Sequence, residues 1–382
     1  MATQVDYGAL EGAMQAYFRE GEARARVLGN RGPIRFAEDG ALHPDILDAY
    51  RRHGFYVFEN VIPTGELAEL EADYLDLMER VPVAEGAALD RHGRPAIGAD
   101  RAHPMVHWAK PLSDPYGGTD LAKGRHSVRM VEPEPAADLP EKVVFIITSP
   151  LEFSDAYLRL TGHPSILRIA EAINGADFVP FQEGLIIKRP GEGASFSWHQ
   201  DGTTHWDDPD WGLDSHGFNV MPQLYGATAA NGVWFVPGSH ALGKLDIAAM
   251  VAEAGSERLP EAVPLVCQPG DVCISNRQIV HGSFANTSKD IRVTLGFGFF
   301  ARRWVEGATG WLYADNSSVT YDAARIDRRA EMIGYAIAAR RAHYPDEQSF
   351  TYQPHARAGE VYRWDETARE AIRGYADYDL RI

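Results

Sequence analysis

Residues 276–299 read NRQIVHGSFANTSKDIRVTLGFGF, and the fold turns on how they are paired. Two β-forming runs flank a polar stretch, Asn286 to Lys289, rich in turn-forming side chains. Taken as a hairpin with that stretch as its loop, the segment sets Ser283 opposite Arg292 and His281 opposite Thr294. Side chains alternate between the faces of a strand. His281 and Ser283 then share a face with Arg292, Thr294, Gly296 and Gly298, while Val293, Leu295, Phe297 and Phe299 point the other way. A polar, glycine-lined face backed by an apolar one suits a barrel interior that holds a site.

Upstream, short strands separated by turn signals run from about Gly175 to about Phe300, the pattern of a small β barrel or double-sheet jelly roll. Helices are predicted over the first 30 residues, from His43-Pro44, after Pro63-Thr64, over about Pro164 to Asn174 with Gly175 as its stop, and around Ala323 to His343. Gly54 to Phe58 is an aromatic and β-branched run and reads as a strand. The expected organisation is a single domain over 1–382, mainly β with flanking helices. Its core lies over about 54–300, with a loop-rich insertion at 82–141. The extension 301–382 can serve as a lid, as packing or as a dimer contact.

Composition narrows the class. The 382 residues are 45% hydrophobic, enough for a full core. No run of about eighteen apolar residues occurs and the first residues lack a signal-peptide pattern, so a cytoplasmic protein without a membrane partner is expected. The 54 acidic and 37 basic side chains leave a formal net charge of −17, which argues against a nucleic-acid partner. A homo-oligomer stays open. Cys267 and Cys273 flank a Pro-Gly-Asp turn without metal-site spacing and read as buried thiols.

Chemistry enters with Ser197-Trp198-His199-Gln200-Asp201-Gly202. Residues two apart on a strand face the same way, so His199 and Asp201 can offer an imidazole and a carboxylate to one ion. By itself such a pair is more often a surface hydrogen bond. Together with His281 it makes the facial triad of non-haem Fe(II) oxygenases, which leaves positions for a bidentate co-substrate and O2. Zinc accepts the same ligands. Arg292 favours iron, because its fork of donors matches the distal carboxylate of 2-oxoglutarate, a carboxylate that Ser283 can share.

These segments resemble the phytanoyl-CoA dioxygenase family of Fe(II)/2-oxoglutarate oxygenases, which includes ectoine hydroxylase. Trp198-His199-Gln200-Asp201 is similar to its proximal ligand motif, and Asn231-Gly232 through Pro237-Gly238-Ser239-His240 to its following strand and turn. Pro269-Gly270-Asp271 precedes His281, Ser283 and Arg292 as the family pattern expects. The resemblance runs from about Gly54 to Phe299 and is most specific from Gln182 onward.

The resemblance implies a double-stranded β-helix, a cupin-like jelly roll, with Fe(II), 2-oxoglutarate and O2 as cofactor and co-substrates. It implies His199, Asp201 and His281 as metal ligands, Arg292 and Ser283 at the co-substrate, and Gln182 near it. Phe196, Trp206, His205, Gln223 and Lys188 are candidates for the pocket of a small-molecule substrate. His240 is expected to be structural. Hydroxylation with release of succinate and CO2 is the default reaction, with desaturation, epoxidation and rearrangement as alternatives. Halogenases on this scaffold lack the carboxylate ligand, and Asp201 is present. No cluster of basic residues suits the phosphates of a CoA thioester, so an amino acid derivative or secondary metabolite is the favoured substrate. Outside this class stand a zinc or cupin-type hydrolase or isomerase, which needs no Arg292, and a non-catalytic binding protein.

Overall fold

The apolar face of Arg292–Ala301 shows where the core sits. Val293, Leu295, Phe297 and Phe299 pack, with Leu185, Ile187, Val220 and Ile274, against the buried faces of helices Thr64–Arg80, Asp155–Thr161, Pro164–Asn174 and Ala323–His343. The protein is represented by a computed structural model that describes residues 5–101, 103–136, 138–311 and 317–382. Among these, nine strands form the larger sheet, in the order Arg31–Gly32, Phe55–Phe58, Val272–Asn276, Phe218–Pro222, Arg292–Ala301, Gly184–Lys188, Val143–Thr148 and Val106–Ala109, with Phe178–Pro180 beside the far end of Arg292–Ala301.

A second sheet of four strands runs Val263–Pro264, Trp234–Phe235, His281–Ser283 and Phe196–His199. Its outer side carries Trp198, Trp234 and Phe284, which helix Glu11–Val27 covers through Met14, Tyr17 and Phe18. Tyr17 stacks on Trp234 with ring centroids 4.4 Å apart. Between the sheets, Phe55, Val57, Met221, Phe235, Leu265, Cys273 and Ile279 fill one region with apolar side chains, and the cavity described below opens beside it. The result is a jelly roll, mainly β, with helices packed outside both sheets.

The expected hairpin does not exist. His281–Ser283 pairs with Phe196–His199 and Trp234–Phe235 in the smaller sheet, whereas Arg292–Ala301 pairs with Gly184–Lys188 and Phe218–Pro222 in the larger. Asn286 builds the crossing. Its side-chain amide donates to the carbonyls of Lys188 and Asp290, each at 2.9 Å, and its N–H donates to the Gly193 carbonyl at 2.9 Å. Those bonds satisfy the groups that a hairpin ladder would otherwise pair. His281, Ser283, Arg292 and Gly296 still face one space, because the inner faces of two opposed sheets look onto the same cavity. Thr294 turns instead to Gln223, donating to its Oε1 at 2.9 Å.

The helices fall where residue spacing places them. Pro164–Asn174 begins on His163, whose Nδ1 accepts from the Ser165 N–H at 3.2 Å, and ends at Gly175, whose φ is 82°. Residues 1–4 of the expected first helix lie outside the described residues. Segment 82–141 is mostly loop, interrupted by Val106–Ala109, which no periodicity announces and which pairs with Val143–Thr148. Beyond residue 301, Ala323–His343 is tied to the body by two buried arginines. Arg340 grips Glu66 at 2.7 and 3.1 Å, and Arg329 meets Glu183 at 2.7 Å. Both cysteines are buried free thiols. Among the described residues no helix is long and apolar enough to cross a membrane.

Candidate metal centre

His199 closes one strand of the smaller sheet and His281 opens its neighbour, and the two stand directly opposite in the ladder. Residues so paired project to the same face, which brings their ring centroids to 4.1 Å. Asp201 follows two residues after His199, its N–H donating to the Arg277 carbonyl at 2.8 Å. Its Oδ1 lies 3.7 Å from His199 Nε2 and its Oδ2 3.8 Å from His281 Nε2. One ligand atom from each of the three falls within 4.8 Å of the others, a spacing that can hold a metal ion. Gly202 then has φ +103°, and a Cβ there would sit 2.5 Å from the His216 ring, so only glycine lets the chain turn away at once with His216 packed against it.

The ring orientations fit a metal. His199 Nδ1 is 2.8 Å from the Ser197 carbonyl and His281 Nδ1 is 2.9 Å from that of Ile279. A carbonyl only accepts, so each Nδ1 donates to it and each Nε2 is turned toward Asp201 and the space an ion would fill. Burial, then His281 and His126, hold the His199 imidazole well below its usual range and therefore neutral. Burial alone would raise the Asp201 carboxyl, but His281, Arg277 and Arg125 around it hold it well below the usual range and ionised. Asn219 Nδ2 donates to its Oδ2 at 2.9 Å and Arg125 Nη1 to its Oδ1 at 3.1 Å. Two imidazoles and one ionised carboxylate form a donor set suited to a divalent cation.

Across the cavity, Arg292 and Lys188 are directly opposed in the larger sheet, so both basic side chains share a face. Both are buried. Arg292 Nε donates to Thr294 Oγ1 at 3.0 Å and Nη1 to the Asn231 carbonyl at 3.3 Å, while Lys188 Nζ donates to Ser283 Oγ at 2.9 Å and to the Phe284 carbonyl. Among the described residues no carboxylate lies within ion-pair distance of either. Burial lowers the Arg292 guanidinium to about 10, and burial together with Arg292 pulls the Lys188 ammonium well below its ordinary value. Buried cations without a counter-charge are unstable in isolation, and an anion between them removes that cost.

His199, Asp201, His281, Ser283 and Arg292 line one cavity of about 260 Å³, together with Gln182 and Phe196. Lys188 lies behind Ser283. The other pocket candidates are placed elsewhere. Trp206 packs on His216 at 4.4 Å and His205 binds the Trp304 carbonyl at 2.8 Å, because the turn at Gly202 carries the following chain away from the strand. Gln223 is buried beside Thr294, and His240 bonds the Arg51 carbonyl at 3.0 Å, away from the cavity. Sequence spacing missed Tyr116, Arg125 and His126 from 82–141, Asn219 and Glu183 from the larger sheet's surroundings, and Trp311 and Arg381 from the C-terminal extension. Tyr116, Arg125 and His126 occur in aperiodic loop, where no spacing rule applies.

The family model for phytanoyl-CoA dioxygenase matches residues 50–294. The chain belongs to the phytanoyl-CoA dioxygenase family. Members of this family are 2-oxoglutarate-dependent non-haem iron dioxygenases, and His199, Asp201 and His281 form a group that could bind the iron. Solved structures similar to it include EvdMO1, at 25% identity over 66% of this chain and 48% of that one, with a TM-score of 0.42. The chain thus spans about half the length of EvdMO1. EctD from S. alaskensis with bound Fe has 19% identity, covering 70% of this chain and 80% of that one, with a TM-score of 0.46. The non-haem α-ketoglutarate-dependent carbocyclase SnoK from nogalamycin biosynthesis has 19% identity, with coverage of 69% and 86% and a TM-score of 0.44. No curated protein matches the sequence.

Proposed function

We propose that this member of the phytanoyl-CoA dioxygenase family hydroxylates an aliphatic C–H bond of a small molecule, with His199, Asp201 and His281 holding Fe(II). Arg292 and Ser283 receive the distal carboxylate of 2-oxoglutarate, and Lys188 supports them from behind Ser283. The supporting observation is the juxtaposition itself: a three-residue ligand set faces the buried Arg292 across the cavity, with Lys188 beside it on the same strand pair and, among the described residues, no carboxylate within ion-pair distance of either.

When bound, iron and 2-oxoglutarate supply with O2 the oxidising equivalent for a C–H bond, and the co-substrate leaves as succinate and CO2. The residues contribute position and exclusion. Lys188 Nζ already donates to Ser283 Oγ, so the Ser283 hydroxyl hydrogen is free to point into the cavity toward an incoming carboxylate. Arg292 is held by Thr294 and Asn231 and meets that carboxylate without reorganising. Phe181, Ile186 and Phe196 give the cavity an apolar wall that keeps water from the reacting bond. Asp201 occupies the place that a halide would need, which favours oxygen insertion. A hydrolytic zinc site would leave Arg292 and Lys188 without an anion.

The test is an anaerobic titration of the apoprotein with Fe(II) and 2-oxoglutarate, followed by a screen of small molecules for oxygenated product. A charge-transfer absorption that appears only with both additions, and is lost in His281→Ala, is the expected result. A band that His281→Ala retains undamaged would remove the ligand assignment.

A further inference from the structure

Most charges that face the cavity have a partner. Glu183 is held by Arg329 at 2.7 Å and by the Tyr375 hydroxyl at 2.7 Å. Arg381 pairs with Asp379 at 2.7 Å and lies over the Trp311 ring. Arg292 faces the co-substrate. Arg125 differs from these: its only ion pair among the described residues is with Asp201, the carboxylate of the metal set, at 3.1 Å. Its other bond is a weak one, from Nε to the Ala122 carbonyl at 3.3 Å.

A divalent ion bound by Asp201 takes up that carboxylate's charge and stands as a like charge beside the guanidinium. Asp201 and the 2-oxoglutarate dianion together only offset the ion and Arg292, so both Arg125 and Arg277, which pairs with Asp201 at 3.8 Å, are left unmatched. Arg277, the other arginine near Asp201, is fixed. It is buried, donates to the His216 carbonyl at 3.3 Å, and lies over Phe181 and Phe300 at 4.3 and 4.8 Å. Arg125 sits instead on a loop, with its side chain 21% exposed and lining the cavity. Beyond it the cavity wall is apolar and partly aromatic. The Tyr116 and Phe196 rings are nearly parallel at 5.6 Å, with Ile146 and Ile186 nearby in the lining.

We infer that Arg125 is a specificity-determining residue that passes from Asp201 to the substrate when the metal site is filled, and that the substrate is a carboxylic acid on an apolar body. The inference rests on the iron and co-substrate assignment made above. Its chemistry is ordinary: a guanidinium released from one carboxylate in a half-enclosed site is best satisfied by another, bound through two parallel N–H donors. The apolar wall then takes the rest of the molecule and presents one of its C–H bonds to the metal.

The experiment uses the full chain loaded with Fe(II) and 2-oxoglutarate in the absence of oxygen. Short aryl- and alkylalkanoic acids, each beside its primary amide, are titrated in, and binding is read from the perturbation of the charge-transfer band. At least one acid is expected to bind about tenfold or more tighter than its amide. Arg125→Gln should abolish that preference, Arg125→Lys should keep part of it, and Fe(II) affinity in Arg125→Gln should stay within about threefold of wild type. A guanidinium that only orients Asp201 would give the opposite pattern, a loss of Fe(II) affinity with the acid preference untouched, and that result overturns the inference. So does a set in which no acid binds tighter than its amide. Failure of the band to form in the wild-type protein is a separate outcome that removes the underlying iron assignment.

Discussion

Arg292 and Lys188 stand side by side on a buried face with no acid among the described residues to balance them. Truncating a guanidinium that pairs with a buried carboxylate costs about 2–5 kcal/mol, part of it from leaving the other charge unpaired. Arg292→Ala should therefore raise the apparent KM for 2-oxoglutarate roughly thirtyfold or more. Fe(II) affinity should hardly change, because the two histidines sit on the other sheet and the Arg292 side chain bonds to Thr294 and Asn231 instead. A 2-oxo acid without the distal carboxylate should be penalised much less by the substitution. Equal discrimination between diacid and monoacid in wild type and variant would mean that Arg292 does not touch that carboxylate, and Lys188 would be the next cation to test.

Helix Ala323–His343 reaches the cavity wall through Arg329, whose side chain is 0% exposed and whose partner Glu183 is 3% exposed. Buried pairs of this kind gain little over well-packed apolar residues, yet removing one member strands the other charge. Here the arginine's Nε and Nη1 are buried without a hydrogen-bond partner, so the pair lacks the full set of bonds that would offset desolvation. Arg329→Met is expected to lower stability by about 3–5 kcal/mol, and adding Glu183→Gln should recover much of that loss. Urea unfolding of the two single variants and the double variant measures the coupling. Strictly additive losses would show that the helix is held by its apolar face alone.

The smaller sheet would expose Trp198, Trp234 and Phe284 were helix Glu11–Val27 not laid across them. Strand alternation separates that outer layer from the inner face that carries His199 and His281. Stability and chemistry can thus be perturbed independently. Tyr17→Ala removes the ring stacked on Trp234 and the hydroxyl that donates to the Leu259 carbonyl at 2.9 Å. The variant should lose about 3–5 kcal/mol of folding stability. At low temperature its charge-transfer band with Fe(II) and 2-oxoglutarate should match that of wild type. Loss of the band in a variant that is still folded would show that the outer layer sets the ligand geometry.

Strand alternation and residue type, both local, determined much of this protein. They placed His199 with Asp201, put Val293 through Phe299 into the core, and marked helices at Pro164–Asn174 and Ala323–His343 by their spacing and caps. They also drew attention to Arg292, whose fixed fork of donors matches a carboxylate. Only the tertiary structure decided which strands pair. Local pattern is the same whether His281–Ser283 and Arg292–Ala301 form one hairpin or lie in facing sheets, and the choice rests on bonds such as those from Asn286 to Lys188, 98 residues away in sequence. It alone brought Arg125 to Asp201, 76 residues apart, from a loop with no periodicity to read. Contacts of that kind arise when separate segments converge on one cavity, and no rule of spacing along the chain records them.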